Sequence, residues 1–277
     1  MNSQIFKKRK IALKNKPIGI LDSGVGGLTV ASTLLKELPD EQFLYIGDVK
    51  GYPYGDKSQE DAREYILEAT DYLVNHGVKL IVFACNTATA AALDDAKEKY
   101  DIPIIGVIEP TARHAARTTE NNHILLLCTE GTARSKFYAR AIEAINPEIK
   151  VTTVGCTSFA PFIESGGYHD RETSLKVIDE TLSKERDTDA DTVILGCTHY
   201  PMLKSPLEKY FDTPKTFVDS AEETLKDIQE ILARDGIAAD KKPSDLRLKV
   251  YLTKESQNFE NILNEWITDV EYSLETI

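Results

Sequence analysis

LIVFACNTATAAALDDAKEKY, residues 80 to 100, decides the fold. Its first five residues form an unbroken apolar run, the mark of a strand covered on both faces. Its last fourteen are a helical pattern, and between the two stand a thiol and an amide. Working outward, the same alternation recurs. Short apolar runs stand at IGIL (18 to 21), FLYIG (43 to 47), PIIGVI (103 to 108), HILLLC (123 to 128), VTTVG (151 to 155) and TVILG (192 to 196). Helical patterns lie at LTVASTLLKELPD, QEDAREYILEATDYLVNHG, TARSKFYARAIEAI and AEETLKDIQEILARDG, with Gly77 and Gly236 placed as C-terminal caps. Within the second, Tyr65, Leu67, Ala69, Tyr72 and Leu73 form an apolar stripe that reads as core. The class is α/β, with mostly parallel sheets flanked by helices.

A chain of 277 residues with 42% apolar content can bury a sizeable core. Forty-five acids against 33 bases leave a net charge of −12, which disfavours nucleic acid or an anionic membrane as partner. No apolar run is long enough to span a bilayer, and MNSQIFKKRKIALKNK lacks the apolar region of a secretory signal, so a cytoplasmic protein is expected. Residues 1 to 16, with six bases and no acids, read as a solvated tail.

A coarse repeat divides the chain into two pseudo-symmetric halves. Each has a hydroxyl-bearing glycine loop after a strand, LDSGVGG (21 to 27) and LCTEGT (127 to 132), and a later strand ending in cysteine, FACNT (83 to 87) and LGCTH (195 to 199). Ligands of open α/β sheets bind beyond the carboxyl ends of the strands, so facing halves would set Cys85 and Cys197 on opposite sides of one cleft. Asn86 or Thr87 is expected to cap a helix beginning near Ala88, and Thr198 a helix carrying Pro201 in its first turn. Each sulfur would then sit at a helix N-terminus, where the dipole lowers a thiol pKa from its usual ~8.5. Free amides there would also hold carboxylate oxygens. Two opposed thiols, one ionised and one protonated, can remove a proton from a carbon on one side and deliver one on the other, inverting it.

Seven ordered motifs carry a resemblance. PIGILDSGVGGLTV, YIGD followed by PYG, VFACNTATAAALDDA, IIGVIEPTARHA, TEGTARS, LGCTHYPML and VDSAEET resemble the glutamate racemases, cofactor-independent enzymes that supply D-glutamate to peptidoglycan. The likeness runs from about Pro17 to the C-terminus. It implies that Cys85 takes the α-proton of D-glutamate and Cys197 that of L-glutamate, assisted by Asp22 and His199. Asp48 either contributes to those transfers or is an exposed loop acid. Ser23, Tyr54, Gly55, Asn86, Thr87, Thr129, Thr132, Thr198 and His199, with Asp22, would hold the substrate. The resemblance implies two domains, residues 17–109 with 222–277 and residues 110–221, the C-terminal segment returning to pack on the first half. Oligomeric state is not legible, and a homodimer is compatible with the sequence. This chain reads DVKGYPYG where the family commonly has Ala-Arg, and Thr157 follows Cys156 where the family often has proline.

No cofactor and no metal are expected, since Cys197 with His199 offers two ligands and no second Cys/His cluster. DSGVGG lacks the endings of phosphate-binding loops, so its glycines serve a tight turn and close backbone approach. Cys128 and Cys156 read as structural. A racemase of aspartate or another small acid, or a non-catalytic amino-acid-binding protein, remains an alternative.

Overall fold

The computed structural model describes residues 13–243 and 246–277, so the basic stretch up to residue 12 lies outside the described residues. Along the chain run β1 (Ile18–Asp22), α1 (Leu28–Glu37), β2 (Phe43–Gly47), α2 (Gln59–Asn75), β3 (Leu80–Phe83), α3 (Asn86–Lys99), β4 (Ile104–Gly106) and α4 (Ile108–Thr118). They continue with β5 (His123–Cys128), α5 (Glu130–Ser135), α6 (Phe137–Ile145), β6 (Lys150–Gly155), α7 (Phe159–Glu164), α8 (Arg171–Leu182), β7 (Thr192–Gly196) and α9 (Lys204–Tyr210). The last elements are β8 (Thr216–Val218), α10 (Ala221–Asp235), β9 (Leu248–Leu252), α11 (Gln257–Trp266) and β10 (Tyr272–Thr276).

Two parallel sheets result. The first has strand order β10-β9-β2-β1-β3-β4 and the second β6-β5-β7-β8. Every pairing in both is parallel. Parallel strands need helical crossovers, which cover both sheet faces and make the strands continuously apolar. In β3 all four residues, Leu80 to Phe83, are fully buried. At roughly 1.5–3 kcal/mol per buried large apolar side chain, this strand contributes strongly to the core. One face of the first sheet packs on α1, α10 and α11 through Leu28, Leu34, Ile228 and Phe259, and the other on α2 and α3 through Ile66, Leu73 and Leu93. The second sheet is covered likewise, by α7 to α9 on one face and by α4 and α6 on the other.

Several local expectations are corrected. The buried stripe of α2 is Ala62, Ile66, Ala69, Thr70 and Leu73, while Tyr65, Leu67 and Tyr72 flank it half-buried. PIIGVI does not continue as strand to residue 108, because α4 begins at Ile108. The pattern from 132 to 145 is two helices, broken where Lys136 adopts a left-handed conformation, φ 54°. Gly77 and Gly236 do adopt positive φ, 71° and 64°, at helix C-termini.

Register puts the polar residues at the carboxyl ends of the strands. Asp22 pairs with Gly47, so Asp48 lies one residue past it, and Leu21 pairs with Phe83, two residues before Cys85. In the second sheet Cys128 pairs with both Gly155 and Gly196, which sets Thr129, Cys156 and Cys197 level at its carboxyl edge.

Candidate active site

After β1 the chain turns tightly into α1. The Gly24 amide donates to Asp22 Oδ1 at 2.9 Å, and the Tyr45 hydroxyl donates to the Gly24 carbonyl at 2.7 Å. A Cβ on Gly26 would stand 2.5 Å from His199 Nδ1, and one on Gly27 would stand 2.5 Å from Asp22 Cβ. Neither distance is physically available to a side chain. Gly26 therefore lets this loop lie directly against the second half, and Gly27 lets it fold back onto Asp22.

Cys85 itself caps α3. Its Sγ accepts from the Ala88 amide at 3.4 Å, and the helix starts at Asn86, so neither Asn86 nor Thr87 takes the capping role. The expected lowering of this thiol pKa does not occur. Burial pushes it up, the nearby Asp22 charge adds to that, and the Ala88 and Thr87 amides offset only part. Desolvation outweighs the dipole because Cys85 is buried, only 7% exposed.

Cys197 follows β7, and the expected helix after it is a four-residue 3-10 turn, Tyr200–Leu203, with no side-chain cap. Thr198 donates instead to Asp22 Oδ2 at 3.1 Å, and its carbonyl accepts from Thr29 Oγ1 at 3.1 Å. The sulfur's polar neighbour is His199, whose Nδ1 lies 3.6 Å away. The other ring nitrogen, Nε2, meets Glu164 Oε1 at 2.9 Å. Burial pulls the imidazole pKa down, yet the hydrogen bonds and negative charges of Cys197 and Glu164 together win and hold it well above the usual value. Burial raises Asp22, against the charge of His199 and three hydrogen bonds that lower it.

Both thiols line one cleft. Ser23, Tyr54, Gly55, Asn86, Thr87, Thr129, Thr198 and His199 line it as well. Asn86 Oδ1 accepts from Tyr138 at 2.7 Å, while its Nδ2 is buried without a protein partner. Thr87, Thr129 and Thr132 form a triangle of hydroxyls at 2.9 to 3.4 Å that joins the two halves. Thr132 is buried and does not line the cleft, and Thr129 caps α5. Cys128 is fully buried beneath the second sheet's edge, whereas Cys156 forms part of the cleft wall. No group of three or more His, Cys, Asp or Glu side chains with metal-binding geometry occurs among the described residues.

Asp48 is neither an exposed loop acid nor a wall of the cleft. It is 2% exposed, accepting from Tyr54 (2.7 Å), from Thr253 (2.7 Å) and from the Gly51 amide (3.2 Å). It anchors the PYG loop, and the Tyr54 hydroxyl is spent on it. Tyr54 therefore meets the cleft with its ring and backbone only.

The profile of the Asp/Glu/Hydantoin racemase family matches residues 29–228. This chain belongs to that family. It is 44% identical over 259 residues to a glutamate racemase of Staphylococcus carnosus, covering 93% of this chain and 97% of that one. Glutamate racemase RacE1 of Bacillus anthracis superposes with a TM-score of 0.89 at 37% identity, over 95% of this chain and 98% of the other. The Francisella tularensis glutamate racemase, solved with D-glutamate, gives 0.87 at 31% identity over the same shares. The chain is thus an amino-acid racemase with the two-sheet α/β fold of these enzymes.

Two features of this racemase, one in the cleft and one behind His199, escaped sequence reasoning. Glu164 stands 35 residues before His199 in an unremarkable stretch, FAPFIE, and only the fold brings them together. Tyr52, whose ring centre lies 6.2 Å from that of His199, lines the cleft with a buried hydroxyl that lacks a protein partner. Its position within the departure DVKGYPYG was the available signal. No helix of the described residues is long and apolar enough to cross a membrane.

Proposed function

We propose that this racemase interconverts L- and D-glutamate by proton transfer between two cysteines, without a cofactor, as a cytoplasmic enzyme supplying D-glutamate for peptidoglycan. The observation that carries the mechanism is the placement of Cys85 and Cys197 in one cleft, each beside its own acidic or imidazole partner. Relatives named glutamate racemases support the substrate, as does the solved Escherichia coli enzyme with L-glutamate bound.

Starting from L-glutamate, the Cys197 thiolate takes the α-proton, forming S–H as the C–H pair stays on carbon. The Cys85 thiol then gives its proton to the opposite face and becomes thiolate. The reverse sequence converts the D-isomer. A high pKa at Cys85 suits a thiol that waits as the acid. A charged His199, held by Glu164, suits stabilisation of the Cys197 thiolate. Asp22 assists at the first thiol, and Asp48 acts indirectly by fixing Tyr54. Ser23, Gly55, Asn86, Thr87, Thr129 and Thr198 hold the two carboxylates and the ammonium, with Tyr54 contributing backbone and Thr132 supporting Thr129. Asn86 Nδ2 is a ready donor for a carboxylate oxygen. The domains are taken as residues 17–109 with 222–277 and residues 110–221, matching strand membership of the two sheets.

D-Glutamate incubated with the purified enzyme in deuterium oxide, with no additive, is expected to lose optical activity while gaining one α-deuterium. Folded protein that produces neither change rejects the proposal. Cys85→Ser and Cys197→Ser should each abolish racemisation, and substantial activity in either variant excludes the two-thiol route. A panel including aspartate tests the substrate.

A further inference from the structure

Glu164 is the residue the racemisation reading needs and the one whose own restraint is unexplained. Its Oε1 goes to His199. Its Oε2 accepts from Asn258 Nδ2 at 3.1 Å, and its main-chain carbonyl accepts from the same nitrogen at 2.5 Å. An amide NH2 has two hydrogens, so one side chain can grip both the backbone and the carboxylate of Glu164. Asn258 lies in the first turn of α11, packed on the first sheet's side, whereas Glu164 ends α7 beside the second.

We propose that Asn258 is a positioning residue for proton transfer at Cys197: it fixes the Glu164 carboxylate so that Oε1 faces His199 Nε2 while His199 Nδ1 faces the sulfur. This rests on the reading of Cys197 as a proton-transferring thiol. The chemistry of an amide fits the role. A lysine or arginine at 258 would compete with His199 for the carboxylate's charge, and an acid would repel Glu164, whereas a neutral donor orients the carboxylate and leaves its charge to the imidazole. The orientation matters because a carboxylate free to rotate cannot hold the imidazole in line with sulfur.

A purely structural role, docking α11 onto the second half, is served by other groups. Tyr168 donates to Glu265 Oε2 at 2.8 Å, and His169 Nε2 lies 3.3 Å from the same oxygen. Loss of Asn258 therefore releases Glu164 while Glu265 still holds the helix, and loss of Glu265 weakens that docking while the Asn258 bonds to Glu164 stay in place. The groups that face His199 are Cys197 on its own loop, Glu164 on α7, Asp22 at the end of β1 and the ring of Tyr52. Of these, Asn258 holds only Glu164.

The test compares wild type, C197S, N258A, N258D and E265A by kcat, KM and the pH profile of kcat in both directions. N258A is expected to lose roughly 10-fold in kcat with KM little changed, the scale typical of losing a group that orients a functional histidine. Its alkaline limb should move to lower pH, because an imidazolium without its aligned carboxylate gives up its proton sooner. N258D, the same size but without the donor, should fall further. E265A should keep wild-type kcat and profile even if its melting temperature drops. The position of a pH limb does not depend on the amount of folded enzyme, so partial unfolding does not mask the result. A wild-type profile and kcat in N258A overturn the proposal, as does a fall in kcat with an unmoved limb. Failure of wild type to racemise, or activity in C197S, overturns instead the two-thiol reading beneath it.

Discussion

Gly26 shows how tightly the cleft is assembled at the level of single residues. An alanine there would drive its methyl into Thr198 and to 2.5 Å from His199 Nδ1. Because sub-ångström misplacement near reacting atoms is costly, Gly26→Ala is expected to lower kcat/KM on the order of 10²-fold while the circular dichroism spectrum is kept. Near-normal kcat/KM would show that His199 can yield without consequence. Residue types were the most legible part of the site. Cysteine at two strand ends, with hydroxyl loops before them, was enough to pick out Cys85 and Cys197. What each side chain does was less legible. Cys85 took the capping role expected of its neighbours, Thr198 turned to Asp22, and Asp48 turned inward to Tyr54 and Thr253. Capping and loop chemistry depend on which partner is nearest in space, and several polar residues in a row compete for the same amides.

Among the elements, strands and long helices followed their patterns because the pattern itself is the physical cause: continuous apolar runs belong to doubly covered parallel strands. Short edge elements did not announce themselves. β8 and β10, at sheet edges, are partly exposed and lack such a run. The end of α10 is a local signal that held. Gly236 there has φ 64°, and its amide donates to Ala233 at 3.2 Å. Gly236→Ala should destabilise the fold by about 1 kcal/mol, since an L-residue resists this conformation. Urea denaturation with an unchanged slope and a lower midpoint is the expected result, and an unchanged midpoint contradicts it.

At the scale of the whole molecule, buried polar links hold distant segments together. Lys79 Nζ, with no side-chain exposure, donates to Glu41 Oε2 at 2.6 Å and to the carbonyls of Lys14 and Ile237 at 2.8 Å, while Glu41 Oε1 accepts from the Ala239 amide. Lys79→Met leaves the Glu41 carboxylate buried and uncompensated, at a cost of about 3–5 kcal/mol. The double variant with Glu41→Leu should recover part of that loss in the same denaturation experiment, and a double variant no better than the single one refutes the explanation. Activity should survive in the folded enzyme, because this network lies in the first half among segments that do not line the cleft. The sequence alone determined the α/β class, the strand runs, the capping glycines and the two thiols, all of which follow from chemistry within a few residues. Only the tertiary structure decided that Glu164 meets both His199 and Asn258, that Thr87 meets Thr129, and that burial raises the Cys85 thiol. Those depend on contacts across 35 to 94 residues of chain, set by sheet register and the packing of one half on the other. Dielectric surroundings, likewise, exist only once the layers close.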